Sequence, residues 1–203
     1  MLFRSLYRRA NHPAVIMTIE EIINTIYPLP QASMDSLLPH ISTVSYPKGY
    51  LLLRANTIEP NVYFIRKGIV RAFAHTNDCE INFWFGKEGD PMISMKSYVQ
   101  NKQGYEDIEL LEDCDLYELK NNALQKLFTY DIHMANWGRK FAELELVKTE
   151  ERLISHQFRT ATERYKDLLT NSPELLQRVS LGHIASYLGI TQVSLSRIRA
   201  EIK

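Results

Sequence analysis

Near the end of the chain, in the stretch TQVSLSRIR, an amide, two guanidinium groups and three hydroxyls stand close together: Gln192, Arg197, Arg199, Thr191, Ser194 and Ser196. Their chemistry is recognition rather than bond making. Displayed on a helix, a Gln amide pairs bidentately with adenine and an Arg fork with guanine, whereas hydroxyls and a further Arg suit phosphate oxygens. Gln192 and Arg197 fit the first role and Val193 can meet a thymine methyl. Thr191, Ser194 and Arg199 fit the second, and Ser196 completes the candidate DNA-contacting set.

Such a helix must be held at a steep angle to a supporting one. The preceding residues, VSLGHIASYLGI, supply the support: Ser180 as an N-cap, then Ile184, Ala185 and Leu188 as an apolar face over which Val179 closes. Gly189 stands where the chain must turn sharply, Ile190 anchors the turn, and Thr191 caps the second helix, whose inward residues are Leu195 and Ile198. A small residue, Ala185, lets the two helices cross closely. The pattern predicts a helix-turn-helix. The alternative is a plain helical hairpin whose Arg197 and Arg199 are merely solvated.

Charge placement favours the first reading. The 203 residues balance 24 basic against 24 acidic side chains, yet His75 to Lys120 holds four basic and eleven acidic residues, and Arg152 to Lys203 eight basic and four acidic. Only the end of the chain welcomes a polyanion.

Other reactive residue types are sparse. Cys79 and Cys114 are far apart and lack metal-ligand spacing, so reduced thiols are expected, with a redox switch only if folding joins them. His75 is the lone histidine of the middle region and reads as a surface or hydrogen-bonded residue. Asp78/Glu80 and Asp107/Glu109 alternate along candidate strands and read as solvated edges rather than an acid-base pair. No nucleophile motif, phosphate-cradling loop or metal cluster is evident, so an enzyme is not expected. No apolar run is long enough for a membrane span, and the start lacks an uninterrupted apolar leader. A cytoplasmic protein without membrane partners is expected, and Met17 offers a second start.

Upstream, from Val44 to about Leu119, short β-branched and aromatic runs are broken by Pro47-Lys48-Gly49, Arg66-Lys67-Gly68 and Lys87-Glu88-Gly89-Asp90. Three glycine-marked turns between apolar strands read as corners of one antiparallel roll. From Asn122 the periodicity turns helical, with Leu124, Leu127, Phe128, Ile132, Ala135, Phe141, Leu144 and Val147 near helical spacing. A short helix followed by a long one is predicted, then a helix ending near Asn171 and another opening at Pro173 with Ser172 as cap. The stripe of the long helix either packs on the roll or meets its own copy. The copy is preferred, because a single recognition helix buries too little for specificity and such readers pair across a two-fold axis.

A glycine-turned roll, a long helix and a terminal helix-turn-helix resemble, in that order, the Crp/Fnr family of bacterial transcriptional regulators. The resemblance runs from about Ile22 and is strongest in RVSLGHIASYLGITQVSLSRIRAEI, with YFIRKGIVRAF similar to the strand-turn-strand of cyclic-nucleotide-binding domains. It implies an α+β chain: an N-terminal extension (1–21), a jelly-roll-like β-roll sensor (22–129), a dimerisation helix (130–155) and a helix-turn-helix domain (156–203). The implied partners are double-stranded DNA, a second copy of the chain and RNA polymerase.

The departures bear on the signal. Family members that bind cyclic nucleotides carry Gly-Glu and then Arg-Ser or Arg-Thr in a phosphate cassette. The corresponding stretch here, GDPMISMKSYVQNKQGYEDIELLEDCD, lacks the Gly-Glu pair and has Gly104-Tyr105 where Arg-Ser would fall. Gly104 to Glu118 contains seven carboxylates and no basic residue, so a cyclic phosphate would lack its partner and face like charge. Lys96 and Lys102 lie outside the family pattern. Cyclic AMP or GMP is therefore not expected, no cofactor is predicted, and a different small-molecule effector stays open. Two cysteines do not suffice for a four-ligand iron-sulfur cluster in one subunit. In the tail, Gln192-Val193 replaces the Arg-Glu pair of many members, which implies a different half-site. The chain stops at Lys203 without a wing, so Arg178, Arg197, Arg199 and Lys203 are expected to supply the basic contacts. The rival reading is a small-molecule sensor or scaffold that keeps the helix-turn-helix only as packing.

Overall fold

The computed structural model describes residues 16–76 and 79–202. Residues 1–15, Asn77, Asp78 and Lys203 lie outside the described residues, and with them most of the expected extension, the Asp78/Glu80 pair and the contact of Lys203.

Eight strands form two four-stranded antiparallel sheets among the described residues. They are β1 (Ile41–Tyr46), β2 (Leu51–Leu53), β3 (Asn61–Lys67), β4 (Val70–His75), β5 (Glu80–Gly86), β6 (Pro91–Met92), β7 (Asp107–Leu110) and β8 (Cys114–Lys120). One sheet has the order β1-β8-β3-β6, the other β2-β7-β4-β5. The turns are where glycine placed them: Gly49, Gly68 and Gly89 have φ of 81°, 120° and 90°. At Gly68 a β-carbon would also stand 2.3 Å from the Cys114 sulfur, so the position needs both the conformation and the space.

Alternation sorts the side chains. Tyr63 and Ile65 of β3 point between the sheets, where they join Leu53, Val70, Ile108 and Leu116. The interior of the roll is thus filled by its own side chains. Val62 and Phe64 face the other way, into a second core built with helices α1 (Ile19–Ile26), α2 (Gln31–Leu37), α4 (Asn121–Tyr130) and α5 (Ile132–Phe158). A turn of 3-10 helix follows α2, and the short α3 (Met95–Gln100) connects β6 to β7. Helix α1 opens three residues before the expected boundary at 22, under a capping box of Thr18 and Glu21, because Ile19 is already buried.

The stripe expected on the long helix divides between two elements and two faces. Leu124 and Leu127 lie on α4, and Met134, Trp137 and Phe141 of α5 bury against the roll. Trp137 stacks on Phe141 with ring centroids 5.4 Å apart and donates its indole N–H to the Ile23 carbonyl at 3.0 Å. The opposite face, Ile132, Ala135, Arg139, Ala142, Leu146, Thr149 and Leu153, follows alternating steps of three and four residues. Ile132, Leu146 and Leu153 on it are exposed. No described helix is long and apolar enough to cross a membrane.

Four short helices close the chain: α6 (Ala161–Asn171), α7 (Pro173–Arg178), α8 (Leu181–Tyr187) and α9 (Gln192–Glu201). Thr160 and Glu163 make a capping box for α6. Pro173 occupies the first turn of α7 as expected, but Ser172 makes no side-chain cap bond; its backbone, at φ −148° and ψ 53°, departs from the extended conformation that aims an N-cap side chain at the following amides.

Candidate nucleic-acid interface

The two last helices are built as their residue types require. Ser180 accepts from the His183 amide at 3.2 Å to open α8, and Thr191 accepts from the Ser194 amide at 3.2 Å to open α9. Between them Gly189 takes φ 66°, its amide donates to Ser186 and that of Ile190 donates to Ala185. This pair of bonds closes α8 in the Schellman manner and aims the chain into α9. Ile184, Ala185, Leu188, Leu195 and Ile198 are buried together with Tyr165, Leu168, Leu175 and Val179. Arg164 of α6 donates to the Leu188 carbonyl at 2.7 Å, pinning the turn from below.

The remaining side chains of α9 face water. Gln192, Val193, Ser196, Arg197 and Arg199 are exposed, and no ion pair among the described residues engages either arginine. Gln192, Ser196 and Arg199 form one row, and Val193 and Arg197 the row beside it. Ser194 is half-buried, with its hydroxyl 3.0 Å from that of Thr191, and Ser196 donates back to the Gln192 carbonyl. These hydroxyls therefore already serve the helix.

Arg178 is not free for phosphate. It pairs with Glu88, at 2.8 Å, and with Glu112, both on turns of the roll. Burial pushes the Glu88 carboxyl up, but hydrogen bonds from Arg178 and the Gly68 amide outweigh it and hold the group below the usual carboxylate range. Lys87 and Glu174 add a second ion pair across the same junction. The expectation that Arg178 would contact DNA missed these partners because they come from turns far away in sequence.

A further junction lies at β5, the edge of its sheet. Opposite β4 the register shifts so that Ala72 meets Trp84 and Phe73 meets Asn82, leaving Phe83 as the extra residue. Asn82 is buried; its amide donates to the Ser186 hydroxyl at 3.0 Å, its side chain donates to the His183 carbonyl, and Ser186 donates to the Glu80 carbonyl. Helix α8 thus covers the open edge. Arg71 holds Asn82 from behind at 3.0 Å and pairs with Glu80 and Glu109. An amide inside the apolar run INFWF was the one available signal for this contact.

The remaining candidates resolve as structure. Asp107 and Glu109 are not solvated: Asp107 accepts from the Ala55 amide and pairs with His75, while Glu109 belongs to Arg71. Cys79 and Cys114 are both free and sit at opposite ends of β4, and burial pushes the Cys114 thiol up to about 12. In the cassette region a β-carbon at Gly104 would stand 2.5 Å from the Ser94 hydroxyl and 3.0 Å from a Glu106 carboxylate oxygen. Both of those polar atoms are buried without a hydrogen-bond partner. Tyr105 is exposed, its ring 6.1 Å from Phe83, with the Lys96 ammonium 5.5 Å from the ring centre.

No protein-family model matches the sequence, and no curated protein matches it. Solved structures do. FixK2 from Bradyrhizobium japonicum is 22% identical, over 80% of this chain and 84% of its own, with a TM-score of 0.67. The Crp/Fnr fold is shown. The same arrangement is shared with CLP of Xanthomonas campestris, described as a c-di-GMP-responsive global regulator, at 19% identity, 85% and 91% coverage and a TM-score of 0.63. It is shared again with a Crp/Fnr-family protein from Eubacterium rectale, at 15% identity, 86% and 85% coverage and a TM-score of 0.68. At these identities the likeness speaks for the Crp/Fnr fold and not for an effector.

Proposed function

We propose that the chain is a homodimeric, sequence-specific transcriptional regulator that reads the major groove of DNA through α9 and does not respond to cyclic AMP. The observation that carries the reading is a fully assembled helix-turn-helix whose inward residues are buried while Gln192, Val193, Arg197 and Arg199 stand exposed and unpaired among the described residues. Gln192 and Arg197 read base edges; Arg199 and the amides at the start of α9, beside Thr191 and Ser194, hold phosphates.

The second copy docks along Ile132, Leu146 and Leu153, whose spacing on α5 is that of a two-helix seam. Pairing places two recognition helices on one face and makes the site a palindrome. The junction at Arg178 and Asn82 sets where each reader sits relative to its roll. Cyclic AMP is disfavoured because the cassette offers Gly104 and the buried Glu106 where a phosphate needs a guanidinium.

Selection of bound duplexes from a randomised pool tests the reading. It should return a palindromic motif whose retention falls steeply with salt. Recovery of no motif, with binding equal for all sequences or absent, contradicts it.

A further inference from the structure

Between β5, the C-terminal half of α5 and helices α6 to α8 lies a cavity of about 570 Å³. Its volume falls in the range of sites that enclose small organic molecules, roughly 300 to 1,000 Å³. The apolar part of its wall is Trp84, Phe85, Leu168 and Tyr187, with the rings of Phe85 and Tyr187 5.1 Å apart.

The polar part is unevenly paired. Asp167 is taken by Arg159 at 3.3 Å, and Asp90 accepts from the Lys87 amide and lies 4.0 Å from Lys148, while Lys148 also holds Glu145. Glu151 is exposed at the rim. Two guanidinium groups are left over. Arg152 donates to the Thr149 hydroxyl, and no carboxylate among the described residues pairs with it. Arg164 donates to two backbone carbonyls, and its Nε–H is buried with no acceptor at all. A buried donor left unpaired costs about 1 to 3 kcal/mol, so an acceptor from a ligand is favoured there. Burial, and after it the charge of Arg164, keep the neighbouring His156 imidazole below its ordinary range, so at neutral pH it adds no charge of its own.

We infer that this cavity binds an amphipathic organic anion, an aromatic or medium-chain carboxylate or sulfonate, with its apolar body on Trp84 and Tyr187 and its head on Arg152 and Arg164. The site uses the face of α5 opposite Leu146 and Leu153, so a second copy along that seam leaves it open. It stands whether or not the tail reads DNA. An occupant touches the roll, the long helix and the reader at once, and its affinity depends on how the three are placed.

The test uses the full-length protein and two dyes, 1-anilinonaphthalene-8-sulfonate and its uncharged relative N-phenyl-1-naphthylamine, titrated by fluorescence and calorimetry. The sulfonate should saturate at one per chain and bind about tenfold more tightly than the neutral dye. Arg152→Gln and Arg164→Gln should each weaken the sulfonate about tenfold and leave the neutral dye unchanged. Trp84→Phe should remove most of the energy transfer from tryptophan to dye, and Ile58→Ser, at an exposed position of the roll outside the cavity wall, should leave affinity intact. Equal affinity for the two dyes, binding that does not saturate, or sulfonate affinity unmoved by Arg152→Gln overturns the inference. Arg152 makes one exposed hydrogen bond, so that variant keeps the test decisive even if Arg164→Gln fails to fold.

Discussion

The helix-turn-helix and the cassette region of the roll are each about two dozen residues long, and the Crp/Fnr resemblance treats them differently. In α8 and α9 every position that must be small, apolar, capping or glycine has the required type, and Gln192-Val193 stands where many members carry Arg-Glu. Across α3 and β7 the strands and turns of the roll are kept, while Gly104 and Tyr105 stand where a cyclic-nucleotide binder would carry Arg-Ser. The difference is physical: a helix pair is held by the packing of its own residues, whereas a phosphate grip is required only by the ligand it holds.

This contrast can be broken at both ends. The largest effect is expected in the reader's core: Leu195→Ala should cost about 2 to 5 kcal/mol and abolish DNA retention, measured by urea unfolding and gel shift. Placing the arginine of cyclic-nucleotide-binding family members at position 104 is the matching experiment. Gly104→Arg should destabilise by about 1 to 3 kcal/mol through overpacking against Ser94 and Glu106, without creating cyclic AMP binding by calorimetry. A gain of micromolar cyclic AMP affinity would show that position 104 alone separates this region from a phosphate grip.

Arg197→Ala should lose about 1 to 3 kcal/mol of discrimination at one base step, whereas Arg199→Ala should weaken all sequences alike and lower the salt slope by about one. The junction between the two regions carries a smaller, pH-dependent effect. Glu88 is held below its unfolded value of about 4.3, so its contribution is complete above that pH and lost as pH falls through the folded value. The urea midpoint should therefore drop between about pH 5 and pH 3, and Glu88→Gln should flatten that drop.

Much of this architecture was legible from local chemistry. Gly49, Gly68, Gly89 and Gly189 all adopt positive φ, and Ser180 and Thr191 cap the helices they precede, because such choices are decided within a few residues. What stayed hidden was non-local. Arg178 reads as a free basic residue until the turns bearing Glu88 and Glu112 fold against it, and the acceptors of the buried Arg71 are invisible along the strand. The long helix misled for a related reason: its apolar residues serve two faces, one on the roll and one exposed, which a single periodicity cannot separate.

On the proposed function, α9 binds DNA while the cassette region takes no cyclic nucleotide. Fluorescence anisotropy of a selected palindromic duplex, titrated with protein with and without saturating cyclic AMP and repeated with a scrambled duplex, tests it most directly. The predicted result is tight, salt-sensitive binding to the palindrome that cyclic AMP leaves unchanged and that Arg197→Ala reduces toward the scrambled level. Binding that requires cyclic AMP, or that does not distinguish the two duplexes, would contradict it.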